Sequence, residues 1–119
     1  RERLMFTNLA AIWPIYAAAG AGRIVVARVV EDRSELRQYR EAVPGAEAVV
    51  CRLTASIETM QERVRIRDPG MIQAEAVARV ALLADILDRK RAEDFSVYNG
   101  EGRPITDAAH EVLVRTGWL

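Results

Sequence analysis

The chain has 119 residues, half of them hydrophobic, which is the usual size of one domain with one core. Its 17 basic residues are matched by 17 acidic ones, so no overall field favours nucleic acid or an anionic membrane as a partner. No apolar run reaches the roughly 18 residues that a spanning helix needs, and the single cysteine cannot form an internal disulfide. We therefore expect a single domain over residues 1–119 in a reducing compartment, the cytoplasm by default.

The first predicted elements are a helix, a strand and a second helix. Apolar residues at three- and four-residue steps predict a helix over residues 4–19. The β-branched run of residues 23–30 is apolar over most of both faces and predicts a strand covered by helices on each side. Asp32 or Ser34 can then cap a helix that runs to about residue 42.

The second half of the chain continues this alternation. The elements predicted there are a strand at 48–53, a helix capped by Thr54 or Ser56, a long helix at 71–91, a short strand at 95–98 and a last helix from Pro104 to Gly117. Alternating strands and helices with short connections predict a three-layer α/β/α fold with a parallel sheet. Three strands are few for such a sheet, and the chain begins with Arg rather than Met, so we expect missing N-terminal strands.

The order of several short motifs resembles that of the adenylylsulfate kinases and related P-loop kinases. The resemblance lies in Asn8-Leu9, Ala18-Ala19-Gly20 leading into 24–27, residues 33–40, residues 49–53, Ile57-Glu58-Thr59 and Arg67-Asp68-Pro69-Gly70. It corresponds to the part of the family that follows the phosphate-binding loop and the second strand. It implies a P-loop NTPase-like fold and, in the parent protein, ATP-dependent phosphoryl transfer to a small-molecule acceptor, with ATP and Mg²⁺ as cofactors.

The phosphate-binding loop of that family, Gly-x-x-x-x-Gly-Lys-Ser/Thr, is absent from this sequence. The nearest glycine-rich stretch, residues 20–23, precedes a predicted strand instead of following one. Its amides are therefore not aimed at an anion at a helix N-terminus, and we interpret it as a helix stop and turn. The chain as given is expected to be inactive without that loop.

Two arginines match the lid of the resembling kinases. Phosphoryl transfer spreads negative charge over the transferring oxygens, and cations that close over them stabilise it. Arg63 and Arg67 are four residues apart on one face of a predicted helix, and the lid would span about residues 63–75. The alternative is that these arginines complement the helix dipole and pair with nearby carboxylates such as Glu62.

An acceptor side is predicted after the first strand. Glu31 and Asp32 follow its carboxyl end, the edge where open α/β sheets bind ligands. Glu31 could orient an acceptor hydroxyl or a magnesium-bound water, whereas Asp32 either contacts the acceptor or caps the next helix. Asn8 matches an acceptor-side position by resemblance. Adenylylsulfate kinases have a Ser-Pro pair in place of Glu31-Asp32 and a lysine within the segment matching 68–70, so these departures argue against adenylylsulfate as the acceptor.

The turn of residues 99–103 resembles the loop that lies against the adenine in such kinases. The resemblance assigns Asn99, Gly100, Gly102 and Arg103 to the nucleotide, with a glycine permitting close approach of the base. The alternative is an ordinary polar turn that needs a positive φ at Gly100 or Gly102.

A second function stays open at this point, a kinase-like module without catalysis that associates, for example as a homodimer, through a sheet edge or apolar helix faces.

His110 and Cys51 have no partners at metal-ligand spacing. We interpret His110 as a surface or packing residue and Cys51 as a core residue. In the resembling family the strand carrying the phosphate loop lies in the middle of the sheet. This order predicts a gap between the strands at 23–30 and 48–53.

Overall fold

A computed structural model describes residues 2–67 and 73–119. The chain divides into two compact units, Arg1–Ala48 and Val49–Leu119. With five α-helices and a parallel sheet in these residues, the fold is α/β, as the sequence predicts. The third layer and the union of both units in one domain stay predictions. None of the helices described is both long enough and apolar enough to cross a membrane.

The first unit is built on a helix pair. Its elements are α1 (Glu2–Ala18), a 3-10 turn (Arg33–Glu35) and α2 (Leu36–Ala42). The helix at 4–19 is confirmed, and the one at 34–42 begins with the 3-10 turn. The Phe6 ring meets the Tyr39 ring edge-on, with 4.8 Å between centroids. The buried core between the helices consists of Leu9, Ala42 and Val43, with Trp13, Ile24, Tyr39 and Ala46 packed against it.

Residues 23–30 form no strand in the structure, so that prediction is wrong. Val25 is 77% exposed, and Val26 and Val29 are also exposed. β-Branched residues favour an extended conformation, but a strand also needs a neighbour that bonds its amides and a layer that covers its side chains. No described strand pairs with this segment, so the pattern is present without the partner that would complete it.

The second unit combines a parallel strand pair with three helices. Its elements are β1 (Cys51–Thr54), α3 (Ile57–Arg67), α4 (Gln73–Lys90), β2 (Phe95–Tyr98) and α5 (Ile105–Thr116). β1 and β2 are parallel, with Cys51 opposite Phe95 and Thr54 opposite Tyr98. α3 packs against α4, and α5 packs against β2. Val97, only 1% exposed, lies at the centre of this unit.

The boundaries of these elements follow from local hydrogen bonds. β1 begins three residues later than predicted, and just before it the Asp94 carboxylate accepts a hydrogen bond from the Val50 N–H at 2.7 Å. Ser56 is the cap of α3, since its Oγ accepts a hydrogen bond from the Thr59 N–H at 3.1 Å. α5 ends where Gly117 turns to a φ of 77°.

Candidate functional site

The carboxyl ends of β1 and β2 lie at the same edge of the sheet, because the two strands are parallel and in register. β1 leads there into α3, and β2 leads into the turn of residues 99–103. The Asn99 N–H donates to the Thr54 carbonyl at 2.7 Å, so the turn begins beside the end of β1. Open parallel sheets bind ligands at this edge. We call it the carboxyl edge and take it as the candidate site of the second unit.

The two glycines of the turn have different roles. Gly102 adopts a φ of 85°, a conformation that favours glycine, whereas Gly100 has no positive φ. Gly100 is buried instead, and the Tyr98 ring occupies the space that a Cβ atom would need. The Tyr98 hydroxyl donates to the Glu101 carbonyl at 3.4 Å. In this structure, therefore, the ring of Tyr98 lies against Gly100, one of the two glycines that the resemblance assigns to the nucleotide.

Arg103 is bonded to both ends of the turn. Its NH1 donates to the Tyr98 carbonyl at 3.0 Å, and its NH2 donates to the Asp107 carbonyl at 3.3 Å. The same NH1 lies 2.8 Å from Glu111 Oε1 on α5. The resemblance assigns this guanidinium to the nucleotide, but here it is bonded within the protein, where it links the end of β2 to the start of α5.

Glu111 connects Arg103 to a second arginine. Its Oε2 accepts from Arg115 NH1 at 3.2 Å, and Arg115 NH1 also donates to the Ser96 carbonyl at 2.9 Å. The Arg115 guanidinium lies over the Phe95 ring, 4.6 Å from its centroid. Arg103, Glu111 and Arg115, here called the Glu111 cluster, therefore tie α5 to both ends of β2.

This cluster closes one edge of the sheet. The Phe95 N–H donates to the carbonyl of Val50, the residue before β1. The Asn99 N–H donates to the carbonyl of Thr54, the last residue of β1. Ser96 and Tyr98 alternate with them, and their carbonyls accept from arginines instead. A further strand could not pair with this outer side of β2 without displacing those arginines. Among the described strands, β1 is therefore the edge at which the sheet can be extended without displacing these arginines.

Acid is expected to remove the contribution of the Glu111 cluster to stability. The hydrogen bonds from Arg103 and then Arg115 lower the pKa of Glu111 below its ordinary value of 4.5. A carboxyl group whose pKa is lower in the folded than in the unfolded state stabilises the folded state at pH values above the unfolded-state pKa. This stabilisation is lost as the pH drops through the folded-state pKa. We expect Glu111→Gln to lower the Tm at neutral pH, with a difference that narrows in acid. Circular-dichroism melts of both chains from neutral to acidic pH measure this difference in Tm. A difference that does not depend on pH would contradict the role of the Glu111 charge.

Cys51 lies next to this cluster on β1, where it is half-buried and not among the buried core residues that the sequence predicts it to join. Its side chain is half-buried, and burial raises the pKa of the thiol above its ordinary value of 9.0, although the charge of Arg115 opposes that shift. A thiol with a raised pKa is a poor nucleophile at neutral pH. Cys51 is therefore given no catalytic role.

Arg63 and Arg67 lie on α3 and are exposed. Their spacing of four residues puts them on one helix face. The side chain of Arg63 makes no hydrogen bond or ion pair with any residue in the part of the chain that is described. Arg65, between them, pairs with Glu62 at 3.2 Å. Residues 68–72 of the predicted lid, including the motif at 68–70, lie outside the described residues.

The predicted acceptor-side residues belong to the first unit. Asp32 is the cap of the 3-10 turn: its Oδ1 accepts from the Ser34 N–H at 2.9 Å, while Glu35 Oε2 accepts from the Asp32 N–H at 3.0 Å. These two bonds form a capping box, so Asp32 acts as a helix cap, one of the two roles that the sequence predicts for it. Glu31 and Asn8 are exposed. Asn8 and Glu31 thus lie in one unit, and the lid arginines and the turn lie in the other.

A shallow groove of about 270 Å³ lies between α1 and α2. Its lining combines charged and apolar side chains: Arg3, Phe6, Thr7, Ala10, Gln38, Glu41 and Ala42. None of the predicted site residues lines it. Among the described residues, no group of three His, Cys, Asp or Glu side chains is arranged to hold a metal ion.

Tyr98, Glu111 and Arg115 were not singled out from the sequence as site residues. The i, i+4 spacing of Glu111 and Arg115 on the last predicted helix was a visible signal for their pairing. Nothing local showed that Arg103 would join them. No protein-family model, curated protein or solved structure matches the chain.

Proposed function

We propose that this chain is the C-terminal portion of an ATP-dependent small-molecule kinase with the P-loop fold. Its upstream portion would carry the phosphate-binding loop and the strand that precedes the loop. The observation that supports this most is that arginines bond the outer carbonyls of β2, which leaves β1 as the less obstructed edge of the described sheet. In the resembling family the strand of the phosphate loop lies in the middle of the sheet, and the open side of β1 is where such a strand would be added.

Exposed apolar residues in each of the two units support the same proposal. Leu53 of β1 is 53% exposed, and Val49 just before the strand is 49% exposed. Residues 23–30 hold the other exposed group, including Val25. A central strand would give hydrogen-bonding partners to both segments, and the helix that follows it would cover part of this apolar surface. The proposal therefore includes a three-layer α/β/α fold for the complete domain.

In this proposal each part of the chain has one task. Arg63 and Arg67 balance the negative charge on the transferring phosphoryl group, and the turn of residues 99–103 lies against the adenine. Glu31 and Asn8 face the acceptor, which is a small molecule other than adenylylsulfate, and Asp32 caps the helical segment that follows Glu31. ATP supplies the phosphoryl group, so the cytoplasm is the expected location.

Mg²⁺ accompanies ATP in such kinases and takes most of its ligands from phosphate oxygens and water. The described residues offer no cluster of three metal-binding side chains. We therefore assign no residue of this chain to the metal and derive no step through it.

The experiment begins with the reading frame upstream of Arg1. We expect it to encode a strand followed by Gly-x-x-x-x-Gly-Lys-Ser/Thr, and we expect calorimetry to detect ATP binding by the intact protein. The 119-residue chain alone should not bind ATP, because two lid arginines cannot replace a phosphate loop. An upstream sequence without such a loop, or an intact protein that does not bind ATP, would overturn the proposal.

A non-catalytic assembly module is the second candidate, and the outer face of α1 favours it. Leu4, Ile12 and Ile15 are exposed at 63%, 43% and 68% on a helix that is apolar on most sides. An uncovered face of this kind favours association, for example with a second copy. Light scattering separates the candidates: a stable dimer of an intact protein that does not bind ATP would support the module, and a monomer that binds ATP would exclude it.

A further inference from the structure

We infer that Glu111 is a positioning residue for the turn of residues 99–103 and that it acts through Arg103. The inference rests on the proposed function, which puts this turn against the nucleotide. It adds a residue on the last helix, outside the motifs that resemble the kinases, to the set that determines how the nucleotide is held.

Arg103 holds the turn from both of its ends. Its NH1 bonds the Tyr98 carbonyl before the turn, and its NH2 bonds the Asp107 carbonyl in the first turn of α5. Because a guanidinium is planar and its donors have fixed directions, these bonds together restrain the distance between the end of β2 and the start of α5. The backbone of residues 99–102 is confined between these two points.

Glu111 determines where that guanidinium lies. Arg103 and Glu111 are 25% and 32% exposed, so their ion pair at 2.8 Å is partly shielded from water. The second carboxylate oxygen of Glu111 is held by Arg115, which prevents the carboxylate from turning away. Without the Glu111 charge, Arg103 would keep its two carbonyl acceptors but lose the attraction of the carboxylate that lies 2.8 Å from its NH1. Its long side chain would then regain rotamer freedom.

Amide hydrogen exchange on the 119-residue chain tests the first step. Glu111→Gln keeps the size of the side chain but removes its charge. We expect exchange of the amides at 101–103 to rise by about tenfold, which corresponds to losing one charge-assisted hydrogen bond. Amides of α4 should not change, and Glu47→Gln, which removes an exposed charge elsewhere, is the matched control. Faster exchange throughout the unit, or no change in the turn, would overturn the inference.

Steady-state kinetics of the intact kinase test the second step. Glu111→Gln and Arg103→Lys are each expected to raise KM for ATP by about tenfold while kcat and KM for the acceptor change less than about twofold. The double variant should resemble either single variant, because both remove one coupled contact. A general loss of kcat would overturn the positioning role. If the intact protein does not bind ATP, the proposed function fails, and the exchange experiment still decides whether Glu111 holds the turn.

Discussion

Replacing Arg63 or Arg67 by alanine is expected to lower kcat/KM of the intact kinase by about 10²–10³-fold. Both side chains are exposed on one face of α3, in the C-terminal half of the helix, where the predicted lid begins. A guanidinium at the transferring phosphoryl group would stabilise charge that grows in the transition state, so the loss should appear mainly in kcat. Initial rates at saturating ATP measure it.

Arg65→Ala is the matched control for this prediction. Arg65 lies on the same helix, but its position between the two lid arginines turns it to a different face, where it pairs with Glu62 at 3.2 Å. Exposed pairs of this kind contribute about 0–1 kcal/mol to stability, so we expect Arg65→Ala to leave kcat/KM within about threefold. Equal losses for all three arginines would indicate a general effect of charge and contradict the role of the lid face.

Melting temperatures separate catalysis from folding in these variants. Because Arg63 makes no side-chain bond to any residue in the described ranges, Arg63→Ala should melt at the temperature of the unchanged chain. Arg67 does have a partner, so a small change in Tm is compatible with the prediction at that position. Unchanged kinetics in both alanine variants would remove the lid arginines from the mechanism.

Features that depend on a few neighbouring residues were predictable from the sequence. Asp32 was one of two proposed caps and is the cap of its helix, and Gly117 ends the last helix as expected. The strand at 95–98 has the predicted bounds. A cap or a helix stop depends on bonds within four or five residues, which are all visible in a linear sequence.

Features that need a distant partner were not predictable in the same way. Residues 23–30 have the composition of a strand, but strand formation requires a neighbour, and no described strand lies beside them. Arg103 was assigned to the nucleotide from a local resemblance, whereas its strongest partner, Glu111, lies on the following helix. The parallel pairing of β1 with β2 joins residues 44 positions apart in the sequence, such as Cys51 and Phe95. Such contacts are set by the packing of whole elements, which composition and periodicity do not specify.

Gly100 gives the other large expected effect, because its neighbour is a ring and not an empty space. A Cβ atom at residue 100 would meet the Tyr98 ring, so Gly100→Ala forces that ring or the turn to move. The atoms met are at the tip of a side chain that is 50% exposed, so the ring can shift, and we expect a cost in the lower part of the range for overpacking, about 1–2 kcal/mol. We expect urea denaturation to show this loss in the unfolding free energy of the 119-residue chain. Gly22→Ala is the matched control, since no atom lies within 4 Å of its Cβ position and its φ is not positive.

A double-mutant cycle with Tyr98→Ala tests whether the ring is the cause. Removing the ring should reduce the cost of Gly100→Ala to less than about 1 kcal/mol, because the added methyl group then enters open space. An unchanged cost would mean that the backbone at Gly100 itself excludes a side chain, and the ring would not be the reason for glycine. The result also bears on the proposed function, since a base could lie against Gly100 only after the Tyr98 ring has left that face. In the intact kinase, Tyr98→Ala should therefore change KM for ATP and leave KM for the acceptor unchanged.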